Sequence, residues 1–128
     1  PLAREAGSVV GIESWGGAVE DARESAEVSE IANVEFVVGP VERALAAVEG
    51  PVDAVVLDPP RRGCHPQAIA ELTRLAPARI VYVSCHPATL ARDLKLLTAG
   101  GYAVESVQPI DLFPQTAHIE CVTVLSRA

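Results

Sequence analysis

The chain has 128 residues and a mass of 13.4 kDa, which is the size of one domain. With 49% hydrophobic and 21% charged residues it has a globular balance that excludes intrinsic disorder; its apolar runs fall far short of the roughly 20 residues a membrane helix needs, and no signal-peptide pattern is visible. Ten Lys+Arg against 17 Asp+Glu give a net charge of −7, which excludes a global basic field for a polyanion. Any nucleic acid would have to be gripped by a local basic patch or by a further domain.

Pro1-Leu2-Ala3-Arg4-Glu5 reads as the tail of a helix already under way, and the chain contains no Met, so it is expected to be a fragment. Residues 8–12 form a short apolar strand ending at Glu13. Residues 16–31 have helical spacing. Residues 34–38 are β-branched and stop at Gly39-Pro40. An Ala-rich helix is expected over 41–48, closed by Gly50-Pro51. The next strand, 52–57, ends at Asp58-Pro59-Pro60. A helix from 65 or 66 to 75 closes at Pro77. The strand 79–84 stops at Cys85. A helix over 87–98 has Pro at its start and Gly100-Gly101 past its end, the usual capping asymmetry. Strands 102–107 and 119–125 flank a loop over 108–118. Alternating β and α with near-continuous apolar strands predicts a parallel sheet covered by helices on both faces. The last two strands, with no helix between them, predict an antiparallel addition at one edge.

Ligands of such sheets sit beyond the carboxyl ends of the strands. Glu13, Gly39, Asp58 and Cys85 occupy those ends. Glu13 is either an acceptor for the ribose hydroxyls of a nucleoside cofactor or a solvated acid. A partnering glycine-rich loop would lie about 20 residues upstream, before Pro1. Asp58-Pro59-Pro60-Arg61-Arg62-Gly63 is a rigid loop in which Pro59 fixes the backbone and Arg61 and Arg62 offer phosphate-matching forks. Cys85, between a strand and a helix N-terminus, is either a nucleophile or a small buried residue. Thr89, Arg92 and Asp93 either hold a substrate phosphate or support the loop. Glu120, with His118 just before it, enters the last strand near the same rim, where a carboxylate near a thiolate suits proton removal from carbon. Three cysteines, an odd and sparse count, argue for a reducing, cytoplasmic setting. Each lies near a histidine, but CxxC spacing is absent and no metal is expected.

Three stretches carry a specific resemblance: D-P-P-R-R-G at 58–63, S-C-H-P-A-T-L-A-R-D at 84–93 and D-L-F-P-Q-T-A-H-I-E at 111–120. In this order they closely resemble the RNA (uracil-5-)-methyltransferase family, whose members use S-adenosyl-L-methionine to make 5-methyluridine in tRNA or 23S rRNA. V-V-G-I-E at 9–13 and V-E-D-A-R at 19–23 also look like the family's cofactor segment, so the likeness spans essentially the whole chain. The resemblance implies an α/β fold: a Rossmann-like methyltransferase sheet, mostly parallel with an antiparallel edge strand, lacking its first strand and glycine-rich loop. It implies Cys85 as nucleophile, Glu120 as general base, Asp58 as the motif acid near cofactor and uracil, and Glu13 as the ribose-binding acid. Pro59, Arg61, Arg62, Thr89, Arg92 and His118 are the expected substrate-binding residues.

The same resemblance implies RNA binding through N-terminal portions outside the chain, with no membrane. Residues 1–128 alone are expected to be catalytically inactive, to bind the cofactor weakly, and to dimerise if the interrupted sheet re-pairs at its edges. Two alternatives stand beside this reading. An RNA cytosine-5 methyltransferase would use Cys64 and Cys85 together, and a non-catalytic module would bind RNA or a partner without turnover.

Overall fold

The computed structural model describes every residue except Phe113. The chain falls into two compact units, Pro1–Ala47 and Val48–Ala128.

In the first unit a short 3-10 turn, Leu2–Arg4, leads into β1 (Val9–Glu13), α1 (Gly16–Val28), β2 (Val34–Val38) and α2 (Val41–Ala46). β1 and β2 pair in parallel, with Gly11 opposite Phe36. A Cβ on Gly11 would come within 2.8 Å of the Phe36 ring, so the ring requires glycine there. α1 ends three residues earlier than its spacing predicts. Glu30 takes a left-handed φ of 54° and the Ile31 N–H turns back to the Ala26 carbonyl.

The second unit runs β3 (Ala54–Leu57), α3 (Pro66–Leu75), β4 (Arg79–Ser84), α4 (Pro87–Ala99), β5 (Tyr102–Ile110) and β6 (Glu120–Arg127). Its sheet order is β3-β4-β6-β5, with β3–β4 parallel and β6 antiparallel to both neighbours. The closing pair occupies one edge, as expected. Within that pair the antiparallel strand is the inner one, and β5 is the edge. Pro109 lies on β5, where its missing N–H is tolerated. β5 also runs three residues past its expected end, through a bulge between Val104 and Ser106.

Tyr82 faces Thr123 and Ile80 faces Leu125 across β4 and β6, and all four are fully buried. Ile69 of α3 and Leu90 and Leu97 of α4 complete this core. α3 and α4 therefore cover the same face of this unit's sheet. β3, β4 and β5 succeed one another in a single direction along the sheet, and right-handed crossovers that step the same way put their helices on the same side. The opposite face, with Val81, Val83, Val122 and Val124, is only partly buried.

Candidate active site

The two helices that follow β3 and β4 begin alike. Cys64-His65-Pro66 and Cys85-His86-Pro87 each place a histidine at the N-cap and a proline just inside. His65 Nδ1 accepts from the Gln67 N–H at 3.2 Å, and His86 Nδ1 accepts from the Thr89 N–H at 3.4 Å. The repeated Cys-His pairs are thus paired helix starts. No cluster of three metal-ligating side chains occurs among the described residues.

Antiparallel pairing sets Ser84 opposite Cys121 at the end of β4. Cys85 follows Ser84 and Glu120 precedes Cys121, so the same register carries the two toward one end of the sheet. The topology thereby brings together two residues 35 apart in sequence. Cys85, Glu120, Arg61 and His118 line a single cleft of about 350 Å³, within the range of small-molecule sites. Arg61 comes from the 58–63 loop and its Nη1 lies 3.2 Å from His118 Nδ1. The 111–120 motif includes Phe113, which lies outside the described residues.

Asp93, fully buried on α4, holds the 58–64 loop in place. Its Oδ2 accepts from the Cys64 N–H at 2.7 Å and the Tyr82 hydroxyl at 2.6 Å, and its Oδ1 accepts from Arg92 Nε at 2.8 Å. Arg92 Nη2 also donates to the carbonyls of Arg62 and Cys64, and the Thr89 hydroxyl donates to that of Arg61. Of the two roles open to Thr89 and Arg92, holding a substrate phosphate or supporting the loop, these bonds are those of loop support. Gly63 closes the loop with φ of 76°, and a Cβ there would lie 2.5 Å from Asp93 Oδ2. Asp58 is exposed one residue past β3, followed by the half-buried Pro59. Arg62 contributes its carbonyl to the loop's support.

Cys64 is a different kind of thiol. It packs against the core cluster and its Sγ lies 3.7 Å from the Tyr82 hydroxyl. Burial, opposed in part by that hydroxyl contact, pushes its pKa up. The Tyr82 phenol is likewise raised, first by burial and then by its bond to Asp93, so it remains a donor. Tyr82 was not anticipated from the sequence. A tyrosine in an apolar strand reads as core, and only its partnership with Asp93 reveals the support role.

Glu13, in the first unit, ends β1 exposed to solvent. The Trp15 N–H donates to its Oε1 at 2.9 Å and the Ser14 hydroxyl at 3.1 Å, and these bonds hold its carboxyl below the usual range. The group is an ionised acceptor whose Oε2 carries no hydrogen bond among the described residues. Ribose hydroxyls are donors, so the donor–acceptor chemistry fits.

The fold and the cleft place the chain among the Rossmann-like methyltransferases. A Streptococcus thermophilus rRNA methylase superposes with a TM-score of 0.76 at 13% identity, covering 98% of this chain and 76% of that one, and this likeness speaks for the fold alone. The Pyrococcus abyssi tRNA (uracil-54, C5)-methyltransferase, solved with S-adenosyl-L-homocysteine, superposes with a TM-score of 0.81 at 38% identity over 97% of this chain and 30% of that one. An RNA methyltransferase of Gloeobacter violaceus, itself uncharacterized, is 53% identical over the whole chain, and one of Listeria monocytogenes is 48% identical over 97% of it. The chain spans 28% of the length of each of these two relatives. Residues 44–128 match the sequence model of the tRNA (uracil-5-)-methyltransferase family. The chain belongs to that family.

Proposed function

We propose that this chain forms the catalytic part of an S-adenosyl-L-methionine-dependent enzyme that methylates carbon 5 of a uridine in tRNA or 23S rRNA. We read both compact units as portions of one catalytic domain acting in the cytoplasm. The observation that carries the reading is the sharing of one cleft by Cys85 and Glu120, flanked by Arg61 and His118. Carbon 5 of uracil is a poor nucleophile. Cys85 as thiolate adds to carbon 6 and turns carbon 5 into an enolate carbon. When bound, S-adenosyl-L-methionine supplies the electrophilic methyl group that carbon 5 takes up. Glu120 then removes the carbon 5 proton, and the returning electron pair expels Cys85. The target base must be flipped out or lie in a loop to reach such a cleft. The net charge of −7 fits a catalytic module whose RNA affinity comes from elsewhere in the protein.

The test is incubation of the intact protein with S-adenosyl-L-methionine and RNA carrying 5-fluorouridine. Fluorine cannot leave as a proton does, so a covalent protein–RNA adduct should persist on a denaturing gel. Methyl transfer without an adduct would contradict the reading.

Glu13 is the residue proposed for the cofactor ribose. Replacing it with Gln should weaken S-adenosyl-L-methionine binding about tenfold or more, since hydrogen bonds to a charged group contribute ~1.5–3 kcal/mol. Trp15, the chain's single tryptophan, is 69% exposed and two residues away, so its fluorescence is a direct reporter of binding. Unchanged affinity would remove Glu13 from the site.

The cytosine-5 alternative needs Cys64 at the reacting base, yet Cys64 contacts Tyr82 in the core. Cys64→Ser is expected to keep methyl transfer within about threefold of wild type, because the group that acts only in the transition state is untouched. Complete loss would revive the alternative.

A further inference from the structure

A guanidinium carries five donors and no acceptor, and it stays charged at any pH a protein survives. The 3.2 Å contact between Arg61 Nη1 and His118 Nδ1 therefore has only one polarity: Arg61 donates and Nδ1 accepts. A protonated Nδ1 would face a cation with nothing to offer it. With Arg61 donating, the imidazole proton is on Nε2. In that tautomer His118 offers an Nε2–H donor in the cleft that Cys85 and Glu120 also line.

Resting on the uracil reading, we propose that His118 Nε2–H donates to the carbonyl oxygen on carbon 4 of the pyrimidine, and that Arg61 positions it by fixing its tautomer. When Cys85 adds to carbon 6, the S–C bond forms and the π pair of the 5,6 double bond moves toward carbon 4. Negative charge then collects on that oxygen, so the hydrogen bond strengthens as the charge develops. The same group sets base selectivity. Carbon 4 of uracil carries an acceptor and carbon 4 of cytosine an amino donor, so a donor at this position is satisfied by uracil and opposed by cytosine. Arg61 acts through His118 and is a positioning residue.

The test uses the intact protein, S-adenosyl-L-methionine, and tRNA and 23S rRNA transcripts made with either uridine or 4-thiouridine. His118 is exposed in a loop, and thermal unfolding checks that its replacement leaves the fold intact. With uridine, His118→Ala is expected to slow single-turnover methyl transfer ~10²–10³-fold, the usual loss for one such donor. With 4-thiouridine the penalty should shrink to within about tenfold, because sulfur is a weak acceptor. Arg61→Lys, which retains a donor that cannot accept, should lose less than Arg61→Ala. Arg61→Ala should add nothing once His118 is gone, since the two act as one unit. An active wild type with His118→Ala within about twofold, or with the same penalty on both RNAs, would overturn the inference and leave the uracil reading standing. A wild type that methylates no uridine in either RNA would overturn the uracil reading, and the inference with it.

Discussion

Cys85→Ala in the intact protein is expected to abolish both methyl transfer and the 5-fluorouridine adduct, with a rate loss of at least about 10⁴-fold, the scale on which nucleophile removal acts. Cys85→Ser should not rescue it, because a hydroxyl supplies almost no anion at neutral pH while a thiol does. Glu120→Gln is expected to fail differently. In the proposed sequence addition and methyl uptake do not call on Glu120, whereas release needs the carbon 5 proton to be taken away. The glutamine protein should therefore turn over ~10²–10⁴-fold more slowly and accumulate covalent adduct on ordinary uridine RNA. Quantifying shifted protein on a denaturing gel with radiolabelled RNA separates the two variants. Adduct from Cys85→Ala would remove Cys85 as the nucleophile. Equal loss of adduct in both variants would mean that Glu120 acts before or during addition.

The pairing of these two residues was only partly legible in the sequence. Cys85 announces itself, because a strand rich in Ile and Val stops at Ser84 and a proline opens the next helix. Glu120 carries no such local signal. What makes it a partner is the insertion of β6 between β4 and β5, and strand order is a non-local property that alternation along the chain does not encode. Helix coverage is non-local for a related reason: periodicity says that a helix packs on a sheet but not on which face. Local boundaries read well where the chemistry is steric, as at Pro66, Pro87 and Gly101, and less well at α1, where Glu30 ends the helix in a conformation its residue type does not advertise. A Cys-His pair looks the same in sequence whether the imidazole binds an ion or caps a helix, and only the structure shows His65 and His86 at helix starts.

Asp93 carries the largest expected effect on stability. It is a fully buried carboxylate whose charged partner, Arg92, is half-exposed, and its two other donors are the Cys64 N–H and the Tyr82 hydroxyl. Asp93→Ala leaves two donors without acceptors and a guanidinium without its anion. Breaking such an arrangement costs about 3–5 kcal/mol. Asp93→Asn retains the shape and one acceptor but brings an amide N–H₂ against groups that already donate, so about 1–3 kcal/mol is expected. Tyr82→Phe removes one donor and should cost less than either. Combined with Asp93→Asn, it should cost less than the sum, because the two changes delete one shared bond. Urea unfolding measures all four proteins. Asp93 also fixes the loop that presents Arg61, so hydrogen exchange at the Cys64 N–H should accelerate in Asp93→Asn, and the 5-fluorouridine adduct should form more slowly even where the protein remains folded. A loss under about 1 kcal/mol for Asp93→Ala would mean that the loop is held by the Thr89 and Arg92 contacts to its carbonyls and that the buried carboxylate is dispensable.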